Sequence, residues 1–580
     1  MLFPELNQIQ EFRKAVGLTQ KELAQLLGVN STSIYRWEHE ITKPSQLALD
    51  KIKQISEKTN LDKSLVRLLL EKNDNQVLSN DLKFEESSEY DLVPMPWVSN
   101  APKDQQEFHK KLINIQLKAF KKDLQNNFKR LSLVDNVIEL GKTAQSILEQ
   151  PKSKALSWNS NYGAHGWHRY VGRFPPHLVR SLINAFGADS NSVICDPFSG
   201  SGTTAVECRL LGIPFIGIEI CPLSYLISKT KSSFPLDSKS LQNMISEFEK
   251  FYSAELDIFL KDRITYSHED ILNRKGNLIE HFTNIEKWFT PQALLGVSIA
   301  VQFGMQQTEF NKDAFLLALS AKMRSIGNVD VDVVRAEYSK KPRENVDVLK
   351  LVTRQLIKMA KDIELMSISH EGLVQENKNI TLFEASVLDV DLPNDSIDHI
   401  ITSPPYGVEA ISYLRTHLLS YRSLKPELNH NPYDTKEKTI GSEYTDWKNT
   451  QLKFNLEKIS PTFKDFFENV QVKPEHESRK VAMMQFFEDL YEVGIKMSKW
   501  LKKQGKIAFV IGNKRLGQDI IPADQIIIET YRNLGLILNE SIKHKLKTNN
   551  SNSQVPWQDR VIDEEYILIF EKLGSSHANA

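Results

Sequence analysis

Apolar positions change their period along this chain, and the changes mark out its parts. Over residues 1–56 they recur at helical spacing: Ile9, Phe12 and Val16 share one face, Leu23, Ala24 and Leu27 another. Gly17 ends the first of these helices, and Thr19 with Glu22 forms a capping box that starts the second over Gln20–Leu27. Gly28-Val29 makes a tight turn, Asn30 caps a third helix over Ser31–His39, and Pro44 closes the unit. Residues 57–155 are polar, with an acidic patch over Glu85–Asp91. Phe108, Leu112, Ile115, Phe120, Leu124 and Phe128 recur there at helical spacing, opposite Lys110, Lys111, Lys118, Lys121, Lys122, Lys129 and Arg130, which predicts a helical connector. From about residue 156 short apolar runs alternate with helical stretches. The runs are Val193–Cys195 ending at Asp196, Phe215–Ile220 with Glu219 at its tip, Ile397–Thr402 leading into Ser403, Lys506–Ile511, and Tyr566–Phe570. That alternation predicts an α/β fold with a mostly parallel, doubly wound sheet, split into a first part over 156–240 and a second over 381–580. Residues 241–380 read as a helical insertion, and 425–480 as a polar insertion in which Tyr433, Tyr444 and Trp447 stand among lysines.

Composition narrows the class. With 580 residues, 41 % hydrophobic and 25 % charged, the chain is expected to fold as several domains. Lys and Arg number 73 against 74 Asp and Glu, a net charge of −1, so a nucleic-acid partner must be held by local basic surfaces. No apolar run is long enough for a membrane span, and the N-terminus lacks the basic start and apolar stretch of a signal peptide. Cys195, Cys208 and Cys221 make no disulfide framework and no Cys-x-x-Cys pair, so no metal site is expected. These readings predict a cytoplasmic protein with no membrane partner.

Two segments carry chemistry. In DPFSGSGTT, from Asp196 to Thr204, a strand ends at Asp196, the glycines Gly200 and Gly202 let backbone approach a ligand, and a helix opens at Thr203. No lysine follows the glycines, which argues against a P-loop. About twenty residues on, Glu219 stands where a carboxylate grips ribose hydroxyls. An acidic residue opening the turn suits a ligand that carries positive charge, and S-adenosylmethionine presents an ammonium, a carboxylate, a sulfonium and a ribose. The second segment is ITSPPYG, Ile401–Gly407. Pro404 and Pro405 fix φ and remove N–H donors, so the Ser403 hydroxyl and the Pro404 carbonyl can accept the two hydrogens of a planar amino group while Tyr406 stacks on its ring.

Residues 17–45 resemble the helix-turn-helix family of phage-repressor type. The resemblance implies that the third helix enters the major groove of DNA with Ser31, Thr32, Ser33, Tyr35 and Arg36, and with Lys43 near phosphates. DPFSGSGTT and TSPPY together resemble the amino-directed DNA methyltransferases, over about 156–240 and 380–572, and WHRYVGRFPPHLVRSLI (Trp167–Ile183) resembles that family's segment covering the methionine end of the cofactor. The resemblance implies a Rossmann-like methyltransferase sheet, S-adenosylmethionine as cofactor and double-stranded DNA as substrate. It implies a cofactor site of Phe174, Pro175, Asp196, Phe198, Gly200, Gly202, Thr203 and Glu219, and a catalytic loop of Ser403, Pro404, Pro405 and Tyr406. Ser at the first catalytic position is associated with the amino group of cytosine; adenine, RNA or a protein glutamine is the alternative target, and a DNA-binding regulator with a vestigial enzyme the alternative class. The chain departs from the family where an acidic residue usually stands seven positions before Pro393: Ser386 occupies that place, and Asp389 is the nearest carboxylate to hold the cofactor's adenine. A Pro-Cys nucleophile for carbon methylation is absent. The fused reader module is expected to bind a second DNA site, the operator of its own gene, and a companion restriction endonuclease is a further expected partner. The target-recognition region is expected in 241–380 or in 425–480.

Overall fold

The computed structural model describes residues 161–573 apart from 171, 262–264, 277, 280–281, 331–335, 340–342, 370–379, 409–415, 429–437, 443–451 and 546–563; in the N-terminal module it describes residues 9, 10, 13, 20, 23, 24 and 31–38. The expected connector 57–155, Lys43, Tyr433, Tyr444 and Trp447 therefore lie outside the described residues.

Helix α1, Ser31–Glu38, falls where the third helix was expected. Ile9, Leu23, Ala24, Ile34 and Trp37 are buried, as their helical spacing requires. Glu38 is buried with them and accepts from Arg13 Nε at 2.6 Å and Gln20 Nε2 at 2.5 Å, so its charge is compensated.

Seven strands form the central sheet: β1 Ile194–Asp196, β2 Phe215–Glu219, β3 Ile380–Glu384, β4 Ile397–Thr402, β5 Leu501–Gly512, β6 Leu536–Lys545 and β7 Glu564–Lys572. Their order is β3-β2-β1-β4-β5-β7-β6. The five strands β1–β5 run parallel, and β7 lies antiparallel between β5 and β6. The chain steps outward from β1 to β3 and then returns to β4 on the other side of β1, so the switch point lies between β1 and β4, where doubly wound sheets bind ligands at the carboxyl ends of their strands. Five strands were expected, and all five are present. The sequence reading missed β3 and β6, the two edges: β3 is half-buried with glutamate at its end, and β6 carries Asn, Glu, Lys and His. Edge strands carry polar residues against unwanted pairing, which erases the apolar signal.

Both faces of the sheet are covered, as side-chain alternation demands. Ile194, Ile401, Ala508 and Val510 pack with α2 (Pro176–Phe186) and α3 (Thr203–Leu211); their neighbours Cys195, Ile400, Ile507 and Phe509 pack with α11 (Glu477–Trp500) and α12 (Ala523–Arg532). The expected insertion is helical, with α5 Lys239–Leu260, α6 Pro291–Gln306, α7 Glu309–Ile326 and α8 Val348–Ser369 as its longest members. It is not a separate lobe. Phe248, Leu294, Phe315 and Leu356 share one core with Val206 and Leu210 of α3 and with Leu223 and Ile227 of α4 (Pro222–Ser232). Helix α9, Leu418–Leu428, adds Leu419 and Leu424 to the same core. The expectation of a polar insertion over 425–480 needs correction in its described part. Helix α10, Pro461–Asn469, buries Phe463 and Phe467 in the core beside α12, because aromatics at i and i+4 make an apolar stripe inside a polar-looking stretch. No helix among the described residues is long and apolar enough to cross a membrane.

A buried carboxylate fastens the segment before α2 to the sheet. Glu207 of α3 accepts from the Tyr162 hydroxyl, from His165 Nε2 at 2.7 Å and from Arg180 Nε of α2 at 2.5 Å. Burial alone would push its pKa up, but Arg180, His165 and Tyr162 together hold it at about 2. Substituting Glu207→Ala leaves the buried Arg180 guanidinium without its anion and is expected to cost about 3–5 kcal/mol, read as a lowered denaturant midpoint. A loss below about 1 kcal/mol would contradict this role.

Candidate functional site

The sequence-predicted groups gather at the carboxyl ends of β1, β2, β3 and β4. Asp196 ends β1 and is buried. Its Oδ1 accepts from Thr402 Oγ1 at 2.7 Å and from the Phe198 amide at 3.1 Å; its Oδ2 accepts from Thr204 Oγ1 at 2.8 Å. Thr402 is the residue before Ser403, so this carboxylate ties the glycine loop, the first turn of α3 and the Ser-Pro-Pro loop into one unit. Burial pushes the Asp196 pKa up to about 6, against the lowering by its three donors.

Glu219 ends β2, half-buried. Its Oε2 accepts from the Gly200 amide at 2.7 Å and its Oε1 from the Cys221 amide at 2.8 Å, which leaves acceptor positions on both oxygens for further donors such as hydroxyls. Burial raises its pKa to about 7, and the charge of Asp196 adds to the rise. The two glycines serve different ends. Gly202 caps α3 at φ 77°, and a Cβ there would meet Ser228 of α4 at 2.5 Å, so it permits close helix packing. Gly200 has φ 52°, yet a Cβ there would meet only the Phe198 carbonyl, at 3.8 Å. Space therefore stays open above the loop beside the Glu219 carboxylate. Thr203 opens α3, whose first-turn amides have no partner within the helix.

Ser403 and Tyr406 follow β4. Ser403 Oγ donates to the Tyr406 hydroxyl at 3.2 Å, and that hydroxyl donates to Glu565 Oε2 of β7 at 3.0 Å. The direction matters: with its hydrogen turned toward Tyr406, the Ser403 oxygen presents lone pairs to its remaining neighbours. Pro404 is buried and Pro405 half-buried. Phe174 and Tyr406 pack against the same core cluster, and Pro175 caps α2. Asp389 is exposed on a short turn, Val387–Asp389, that follows β3, and Ser386 caps that turn. In the N-terminal module Tyr35 is exposed and Ser33 half-buried on α1; Ser31, Thr32 and Arg36 lie on the same helix, their side chains outside the described residues.

Thr204, Thr402 and Glu565 were missed by sequence reasoning. The two threonines read as ordinary helix and strand residues. Glu565 did leave a signal: it is an acid buried near the start of a strand whose inward positions are otherwise apolar.

Comparison with known proteins gives two domain matches. A helix-turn-helix family matches residues 9–55, and a family described as DNA methylase matches residues 66–229, reaching back through most of the expected connector. The chain is similar to the Type II methyltransferase M.BsoBI of Geobacillus stearothermophilus, 24 % identical over 454 residues that span 71 % of this chain and 86 % of the relative. The Type II methyltransferase M.MvaI of Kocuria varians is 26 % identical over 395 residues, 65 % of this chain and 83 % of the relative. Among solved structures, a DNA modification methylase from Thermus thermophilus is 17 % identical, covers 33 % of this chain and 52 % of its own, and superposes with a TM-score of 0.16.

The electrostatics of the site give a signed expectation. Glu219 and Asp196 have folded pKa values near 7 and 6, above the ordinary 4.5 and 3.8, so each favours the folded state most at low pH and loses that contribution as pH rises through its folded value. Between about pH 4.5 and 7 the denaturant midpoint of Glu219→Gln should vary less with pH than that of the unsubstituted protein. Superimposable curves would show that Glu219 is not buried against its charge.

Proposed function

We propose that this chain, a DNA amino-methyltransferase with an N-terminal helix-turn-helix module, methylates the exocyclic amino group of cytosine at a specific site in double-stranded DNA. The observation that carries the reading is the Thr402–Asp196 hydrogen bond, which joins the loop suited to a planar amino group with the loop suited to the cofactor. S-adenosylmethionine, the methyl donor of this family, supplies an electrophilic methyl group when bound. The residues present fit it: Glu219 keeps acceptor positions for ribose hydroxyls, Gly200 leaves room above its loop, and Asp389 stands beyond the neighbouring strand for the adenine amino group.

The protein's part is orientation. A cytosine flipped from the duplex would enter at the end of β4. The Ser403 oxygen, its own hydrogen engaged with Tyr406, accepts one amino hydrogen, and the Pro404 carbonyl accepts the other. Held in this way, the nitrogen directs its lone pair at the methyl carbon, and positioning contributes much of the rate. The proton lost afterwards passes to solvent or a nearby acceptor. Tyr406 offers its ring face to the base, its hydroxyl anchored by Glu565. Serine at position 403 supports cytosine over adenine. The Type II relatives support a restriction-modification setting with a companion endonuclease, and the helix-turn-helix supports control of the gene's own operator.

Mass spectrometry of nucleosides from methylated duplex DNA should show N4-methylcytosine; N6-methyladenine in its place would refute the base assignment. Ser403→Ala should lose about 2–4 kcal/mol of barrier stabilisation, a fall of tens- to several-hundred-fold in methyl transfer, with cofactor affinity unchanged by calorimetry. Arg36→Ala should weaken footprint protection of an operator-like site upstream of the gene while leaving methylation intact. If methylation of the target is lost instead, the module serves target recognition and the regulatory role is wrong.

A further inference from the structure

A cavity of about 170 Å³ opens beside α7, the start of α9 and the His168–Arg169 segment, outside the residues assigned above. Its walls include Arg169, Arg324, His417, His168, Ser320 and Ser420. Guanidinium groups crowd its rim. Burial disfavours the charge on Arg324, the repulsion of Arg169 and Arg343 adds to that, and Asp330 opposes it. Arg343 donates to the Arg324 carbonyl at 2.8 Å, and Arg324 donates to the Asp330 carbonyl at 2.9 Å, so both are fixed in place. The Arg169 side chain is exposed and has no partner among the described residues.

The buried wall carries a second sign of a ligand. His417 is 8 % exposed, is stacked on Tyr170 at 5.2 Å, and its Nε2 has no hydrogen-bond partner among the described residues. Burial first, then Arg324, Arg169 and Lys231, holds its pKa at about 4, so at neutral pH it is an uncharged ring with an idle nitrogen. Deeper, His168 Nε2 lies 2.8 Å from Ser320 Oγ, which donates to Ser420 Oγ at 2.9 Å. Two lining arginines, Arg169 and Arg324, beside this imidazole nitrogen suit an oxyanion with several acceptor oxygens.

We propose that this cavity binds a phosphate group, and that its source is a backbone phosphodiester of the substrate DNA. The source follows from where the walls are attached. Thr416 and His417 follow the Ser403–Gly407 loop closely in the chain, Tyr170 is bonded to Ser224 of α4 at 2.9 Å, and Tyr421 of α9 touches Cys221, two residues past Glu219. The cavity thus adjoins the edge at which a flipped base would be handled, and a chain of net charge −1 needs such local clusters to hold phosphates. The inference rests on the methyltransferase reading, and it places DNA contact in the helical insertion.

The test uses the full-length protein, with Arg169→Gln, Arg324→Gln, both together, and Arg324→Lys. Expected is a rise of about tenfold or more in the KM for duplex DNA in the double variant, with kcat and the cofactor KM unchanged and partial recovery in Arg324→Lys. The slope of log affinity for non-specific duplex against log salt should shrink by about 0.9 per lost contact. Inorganic phosphate should weaken DNA binding of the unsubstituted protein more than that of the double variant. An unchanged DNA KM and salt slope in a folded double variant overturns the proposal. So does inorganic phosphate raising the melting temperature of the unsubstituted protein alone while DNA binding is indifferent to the substitutions, since the cavity would then serve free phosphate. Should the unsubstituted protein transfer no methyl group to DNA, the functional reading fails, and the salt slope still decides the phosphate site.

Discussion

Everything at the carboxyl edge of the sheet is referenced to the Asp196 carboxylate. Its three donors come from the loop after β1, from the first turn of α3 and from the last residue of β4, which is 206 positions away in the chain. A buried carboxylate with only neutral donors is costly, and the upward shift of its pKa to about 6 records that cost. What the arrangement secures is position. Thr402 cannot move without breaking a buried hydrogen bond, and Ser403 is the next residue, so the loop that would hold an amino group is set relative to the glycine loop by a single side chain.

Helix α3 carries the opposite solution at Glu207, four residues after Thr203. Glu207 is as deeply buried as Asp196, yet its pKa falls to about 2 because the Arg180 guanidinium lies against it. The structure therefore separates two uses of a buried acid. Where the need is to fasten Tyr162, His165 and α2 to α3, charge is compensated inside the protein. Where a ligand with positive charge and hydroxyl donors is expected, at Asp196 and Glu219, compensation is withheld and the carboxylates stay poised for it.

The placement of the candidate site was legible in the sequence because its residues sit where strands stop. Short apolar runs leading to Asp196, Glu219 and Ser403 announce strands and mark candidate residues at their ends, and all three are found at adjoining strand ends. What could not be read is what only distance in the chain brings together: the bond from Thr402 to Asp196, and Glu565 behind Tyr406, 159 residues on. The edges β3 and β6 were silent for another reason, since half-buried polar strands lack the continuous apolar run that burial on both faces imposes. Helix α10 misled through its surroundings: two core phenylalanines sit within a stretch whose average is polar. Averages hide a stripe; spacing shows it.

Packing also changes how the helical insertion should be regarded. An appended recognition lobe would keep its own core and meet the sheet through a limited interface. Here α5 to α9 share a continuous core with α3 and α4, the two helices that follow β1 and β2. Gly202 admits Ser228 of α4 at a distance no side chain would allow, so α4 is seated directly on the glycine loop. Any force on the insertion is then transmitted to α3 and α4 through close-packed side chains, which yield little. The insertion, α3, α4 and the glycine loop are therefore held in one continuously packed unit.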